Sequence, residues 1–95
     1  MNKILEKEHF SEKVVRLVVE APSIARSRRA GHFVIVRSGD HGERIPLTIA
    51  DAETDRGTIT LVVQAIGEST SKICALEPGE YLTDVVGPLG QATHI

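Results

Sequence analysis

Ninety-five residues suit one domain with a single core, because a chain this short buries a smaller share of its surface than a larger one. A hydrophobic share of 41%, a charged share of 25% and a net charge of -2 describe a globular chain that gives a phosphate backbone no electrostatic footprint. Phe10, Phe33 and Tyr81 are the only aromatic residues, too few for the stacking platforms of single-strand binders, so no nucleic-acid partner is expected.

The start, Met1-Asn2-Lys3-Ile4-Leu5-Glu6, alternates and is charged where a signal peptide is continuously apolar. No apolar run reaches the ~20 residues of a membrane helix, so no membrane is expected and the cytoplasm is the expected compartment. Strand patterning over 4–10 and 14–20, around the turn Ser11-Glu12-Lys13, predicts an opening hairpin. Ala21-Pro22-Ser23 interrupts it and leaves room for at most one helical turn. Strands are predicted over 32–37, 45–52 and 58–64, separated by the loop 38–42 and the polar turn 51–57. Pro46 cannot donate to a ladder, which puts the start of the 45–52 strand at a sheet edge or an irregularity. A short helix is predicted over 70–76, with Ser69 or Thr70 as N-cap and Pro78-Gly79 as the stop. A last strand over 81–86 then runs into Gly87-Pro88-Leu89-Gly90.

These elements predict an all-β fold: a six-stranded antiparallel Greek-key barrel with one short helix before the last strand, in one domain spanning 1–95. The alternating strands and helices of a dinucleotide-binding βαβ domain, and its glycine fingerprint, are missing. Cys74 is the sole cysteine, which excludes an internal disulfide and a cysteine-rich metal or iron–sulfur site. His9, His32, His41 and His94 are scattered without ligand spacing, so no metal is expected. No side chain has the setting of an acid–base catalyst, and no catalytic residue is assigned.

Two segments carry possible binding chemistry. In Arg44-Ile45-Pro46-Leu47-Thr48-Ile49-Ala50-Asp51 a cation and a hydroxyl flank an apolar strand surface. That combination suits a flavin, whose ring needs an apolar bed, whose N5 takes a hydrogen bond, and whose phosphates need a cation or amides. The plainer interpretation is a strand threonine and a solvated loop arginine. Gly67-Glu68-Ser69-Thr70-Ser71-Lys72 sets a glycine, hydroxyls and a lysine at a helix start, which attracts phosphate but equally describes an ordinary N-cap.

Taken in order, these segments resemble the flavin domain of the ferredoxin–NADP reductase superfamily. Residues 30–37, Ile45-Pro46-Leu47-Thr48-Ile49-Ala50-Asp51, Gly67-Glu68-Ser69-Thr70 and Gly87-Pro88-Leu89-Gly90 look most like the branch containing dihydroorotate dehydrogenase electron-transfer subunits and NADH-dependent ferredoxin–NADP oxidoreductase, formerly called sulfide dehydrogenase. The resemblance implies a flavin, FAD, with Thr48 facing its N5, Leu47 packing by the ring and Pro46 among the cofactor-binding residues. It implies main-chain contacts from Val62, Val63 and Gln64, and a pyrophosphate held near Gly67, Ser69 and Thr70. Arg44 stands one residue earlier than the arginine of the superfamily, so its phosphate role would need a bulge at Pro46.

The family implies an electron-transfer oxidoreductase working between NAD(P)H and iron–sulfur partners such as ferredoxin. Its nicotinamide-binding and iron–sulfur domains cannot fit in residues 91–95, so the chain is expected to be part of an enzyme rather than a complete one. Two alternatives stay open at this point. One is a small barrel that docks a protein partner without flavin, using Arg26-Ser27-Arg28-Arg29; the other is a stand-alone FMN reductase.

Overall fold

The computed structural model describes residues 2–27, 32–39 and 42–90. Its order is β1 (Asn2–His9), β2 (Val14–Glu20), α1 (Pro22–Ser27), β3 (Phe33–Arg37), β4 (Ile45–Glu53), β5 (Thr58–Gln64), α2 (Glu68–Cys74), β6 (Tyr81–Leu82) and β7 (Asp84–Leu89). The expected six strands and one helix are thereby corrected to a nearly closed barrel of seven antiparallel strands with two helices.

The added strand comes from the way the barrel closes. The sheet order is β6-β1-β2-β5-β4-β3-β7, and its two outer members are consecutive in the chain. Tyr81 and Leu82 pair with β1, while β7 pairs with β3, so one extended segment crosses from one edge of the sheet to the other. Thr83 is the crossing point: its amide donates to Arg37 O at 2.9 Å and its hydroxyl accepts the Gly39 amide at 2.7 Å. Arg37 and Asp84, directly opposite across β3 and β7, add an ion pair at 2.6 Å. Sequence patterning sees one strand over 81–86 because nothing in composition marks a change of partner. β7 also continues through Gly87-Pro88 to Leu89, where a register shift between Phe33 and Ile35 takes up the irregularity.

The added helix, α1, is a six-residue turn that starts at a proline, whose missing N–H costs nothing there. Its opening bond runs from Ala25 N to Ala21 O at 2.9 Å, and it buries Ile24 and Ala25 against the barrel. Gly57, in the β4–β5 turn, takes a φ of 67° and would set a Cβ 3.0 Å from Pro22, so a glycine is required where the turn meets α1.

The core is built on the longest ladder, β2–β5. Val15↔Val63, Leu17↔Leu61 and Val19↔Ile59 are direct cross-strand partners, all essentially inaccessible to solvent. Ile4, Ile73 and Leu82 seal it from β1, α2 and β6. Each such side chain contributes about 1.5–3 kcal/mol on leaving water. The barrel is thus rigid where β2 and β5 run side by side.

Candidate functional site

The site arises where β4 leaves β5. Pairing between them runs from Glu53↔Thr58 to Ile49↔Leu61, with a register shift between Ile49 and Asp51. Before Ile49, residues 45–48 pair with β3 alone, and beyond Leu61, residues 62–64 pair with β2 alone. The two strands therefore splay apart, and the facing edges of residues 45–48 and 62–64 border a gap. Pro46 lies on this splayed stretch, where its lack of an N–H removes one donor. The β3–β4 register through Pro46 is regular, Ile35↔Pro46 between Val34↔Leu47 and Val36↔Ile45, so no bulge occurs there.

Over the gap sits the connection to α2. Ala65 N donates to Lys13 O at 2.7 Å and Ile66 N donates to Gln64 O at 3.0 Å, which turns the chain out of the sheet. Gly67 then caps α2 with extended backbone, φ -159° and ψ -179°. The helix begins two residues before the predicted start, and its cap is neither Ser69 nor Thr70. Thr70 instead reaches back: its hydroxyl accepts the Ile66 and Gly67 amides at 3.1 and 3.0 Å and donates to Gly67 O at 3.2 Å. Intrahelical bonding in this turn starts with Ser71 N donating to Gly67 O at 2.9 Å, since the first amides of a helix have no intrahelical acceptor.

Between these walls lies a groove of about 750 Å³ bordered by Arg44, Pro46, Gly67, Ser69 and Thr70, together with Glu43. The geometry thus gathers the cation and proline of the first segment with the glycine and hydroxyls of the second. Arg44 is exposed and makes no ion pair among the described residues. Arg44 immediately precedes β4 and, like Pro46 and Thr48, is exposed. Gly67 has an ordinary φ, and an added Cβ would meet nothing within 4 Å. The fold does not require a glycine there, and its missing side chain keeps the groove open.

The other predicted residues fall in two sets. Thr48, Val62 and Gln64 are exposed on the outer face, flanking the buried Ile49–Leu61 pair at the apex of the splay. Leu47 packs against the core and Val63 is buried, so their side chains belong to the barrel interior. The Val63 carbonyl also accepts the Cys74 thiol at 3.6 Å. Burial pushes that thiol up from its ordinary pKa of 9.0, and the nearby Lys7 ammonium offsets part of the rise.

Four residues of the groove lining escaped the sequence: Ser38, Gly42, Glu43 and Ile66. Glu43, whose carboxylate accepts the Ser69 hydroxyl at 3.0 Å, reads as loop composition. Ile66 is 76% exposed at the groove rim, and the signal for it was an apolar run that outlasts the alternation of β5. Arg28, Arg29 and His41 lie outside the described residues, as does His94. No helix among the described residues is long and apolar enough to cross a membrane, and no group of His, Cys, Asp and Glu there could hold a metal ion.

No family model matches the chain. It is 41% identical, over 95% of its length, to an uncharacterized protein of Clostridium beijerinckii, of which it spans 30%. It is 37% identical over its whole length to the dihydroorotate dehydrogenase B (NAD(+)) electron transfer subunit homolog of Thermotoga maritima, spanning 34% of it. Among solved structures it superposes on the NADH-dependent reduced ferredoxin–NADP oxidoreductase, described for flavin-based electron bifurcation, with a TM-score of 0.96. That match has 36% identity and covers 99% of this chain and 34% of the other. The chain therefore spans about a third of the proteins it matches. It is a barrel domain of the ferredoxin–NADP reductase superfamily, related to the dihydroorotate dehydrogenase B electron transfer subunit and to NADH-dependent ferredoxin–NADP oxidoreductase.

Proposed function

We propose that the chain is the FAD-binding domain of an electron-transfer flavoprotein that moves electrons between NAD(P)H and iron–sulfur partners such as ferredoxin. The observation that carries this reading is the splay of β4 from β5. It joins an apolar outer strip bearing one hydroxyl, Thr48, to a groove bordered by an exposed cation, Arg44. A flavin dinucleotide has the same two-part chemistry, a flat apolar ring and a dianionic tail.

Bound there, FAD supplies hydride acceptance at its ring and release of single electrons, which no side chain of the domain performs. The residues of the domain bind and orient. Thr48 offers its hydroxyl toward the ring N5, Pro46 and Val62 furnish apolar surface beside it, and the free edge over 62–64 offers main-chain groups. Arg44 and Ser69 bind the diphosphate, and Thr70 fixes the Ile66–Gly67 turn beneath it. Leu47 and Val63 support the strip from inside. Nicotinamide-binding and iron–sulfur domains or subunits complete the intact protein, and the cytoplasm is its compartment.

Titrating the 95-residue chain with FAD and following flavin absorbance and fluorescence tests the reading. Saturable binding weakened by Thr48→Ala and Arg44→Ala supports it. A folded chain that takes up no flavin, or binds it equally well with both residues replaced, refutes the assignment of the site and favours a barrel that docks a protein.

A further inference from the structure

The flavin reading gives no role to Glu43, and the inference drawn from that residue rests on that reading. Glu43 brings a full negative charge to the place where a phosphate is to bind. Its carboxylate accepts the Ser69 hydroxyl at 3.0 Å, joining residues 26 apart in sequence across the groove. It makes no ion pair among the described residues, although Arg44 and Lys72 border the same groove and Lys72 turns instead to Glu68 at 3.5 Å. The carboxylate thus stands at the groove wall with a neutral hydroxyl as its partner.

We propose that Glu43 is a charge filter that sets which flavin phosphate the groove accepts. Without ligand, its carboxylate occupies the Ser69 hydroxyl and must be displaced before a phosphate oxygen can accept from the same donor. With ligand, it stays beside the phosphate and repels it in proportion to the charge concentrated there. The terminal phosphate of a mononucleotide is a monoester carrying about -1.5 to -2 near pH 7. Each phosphate of a dinucleotide is bound through one ester and one anhydride oxygen and carries only one negative charge. The repulsion therefore falls harder on FMN than on FAD, and Glu43 favours the dinucleotide.

The competing determinants do not discriminate this way. Arg44 attracts both ligands, more strongly the more concentrated charge, and Thr70 has its hydroxyl taken up by two amides and one carbonyl of its own turn. Glu43 is exposed and external to the core, so its replacement leaves the barrel intact.

The test compares the wild-type chain, Glu43→Gln and Ser69→Ala, titrated with FAD and FMN by fluorescence and with inorganic phosphate by the amide shifts of residues 67–71. Glu43→Gln is expected to tighten FMN about five-fold and FAD about two-fold, the size of a screened surface charge effect. Ser69→Ala is expected to weaken both flavins. Equal changes for FMN and FAD in Glu43→Gln, or weaker binding of either, overturn the filter. If neither protein binds flavin while phosphate shifts the amides more strongly in Glu43→Gln, Glu43 opposes phosphate in the groove as argued, but the flavin reading fails and the choice between flavins falls with it. If neither flavin nor phosphate binds in either protein, both are wrong.

Discussion

The two halves of β5 differ in what flanks them. Residues 58–61 lie between β2 and β4 and pair on both edges, with Ile59 and Leu61 fully buried. Residues 62–64 keep β2 on one edge only, and Val62 and Gln64 face solvent. The strand keeps its alternation throughout, and only the neighbour is withdrawn. The groove in this barrel is therefore made by ending one ladder early and setting a helix beside the gap, at no cost to the core on the other side of the same strand.

Breaking the closed half is expected to have the largest effect. Leu61→Ala empties a fully buried position opposite Leu17 and should cost about 2–5 kcal/mol, read as a lower urea midpoint with little change in slope. Flavin affinity of the folded fraction should hold. A large loss of affinity at full folding would mean that the two halves are not separable.

Replacing a residue of the open half should do the reverse. Arg44→Ala is expected to weaken FAD about ten-fold, the low end for a charged hydrogen bond, because the site is exposed and screened. Its urea midpoint should match wild type. Thr70→Val belongs to both halves: it deprives the Ile66 and Gly67 amides of their acceptor and should lower stability by about 1 kcal/mol. FAD should weaken along with it, and Thr70→Ser should restore both. Restoration of stability without affinity would show that the methyl group of Thr70, and not the turn it holds, serves the ligand.

The closed half was legible in the sequence because its physics is local. Alternation of Val15, Leu17 and Val19 against Ile59, Leu61 and Val63 specifies two half-buried strands, and the β5 bounds 58–64 follow from it. The open half was legible only as two segments of suitable chemistry. Their meeting depends on where β4 changes partner, a long-range event of which Pro46, unable to donate to a ladder, gives the one local sign. The same holds for the crossing at Thr83, which turned one expected strand into two. The role of Arg44 is not legible from spacing either, because Arg44 precedes β4 and lies outside the β3–β4 register. Helix α2 was misplaced because Ser69 and Thr70 are good caps by composition, yet Thr70 acts from the third helical position on a glycine cap.

The smallest effect expected lies at Cys74, where the two halves touch: its thiol donates to the carbonyl of Val63 in β5, and α2 carries it. The folded protein holds the thiol proton more tightly than the unfolded chain, since burial raises the pKa above its ordinary 9.0. Below that value both states keep the proton and stability does not depend on it. As pH rises above 9.0 the unfolded chain ionises first, so stability falls until the folded thiol ionises in turn. The slope contributed by one such group is at most about 1.4 kcal/mol per pH unit. Urea melts of wild type and Cys74→Ala at pH 7, 9 and 10 isolate it as a stability difference that moves in favour of the variant above pH 9. A constant difference across that range would mean that the thiol titrates alike in both states. In that case α2 lifts from β5 often enough to wet Cys74, and the helix covering the groove is looser than its contacts imply.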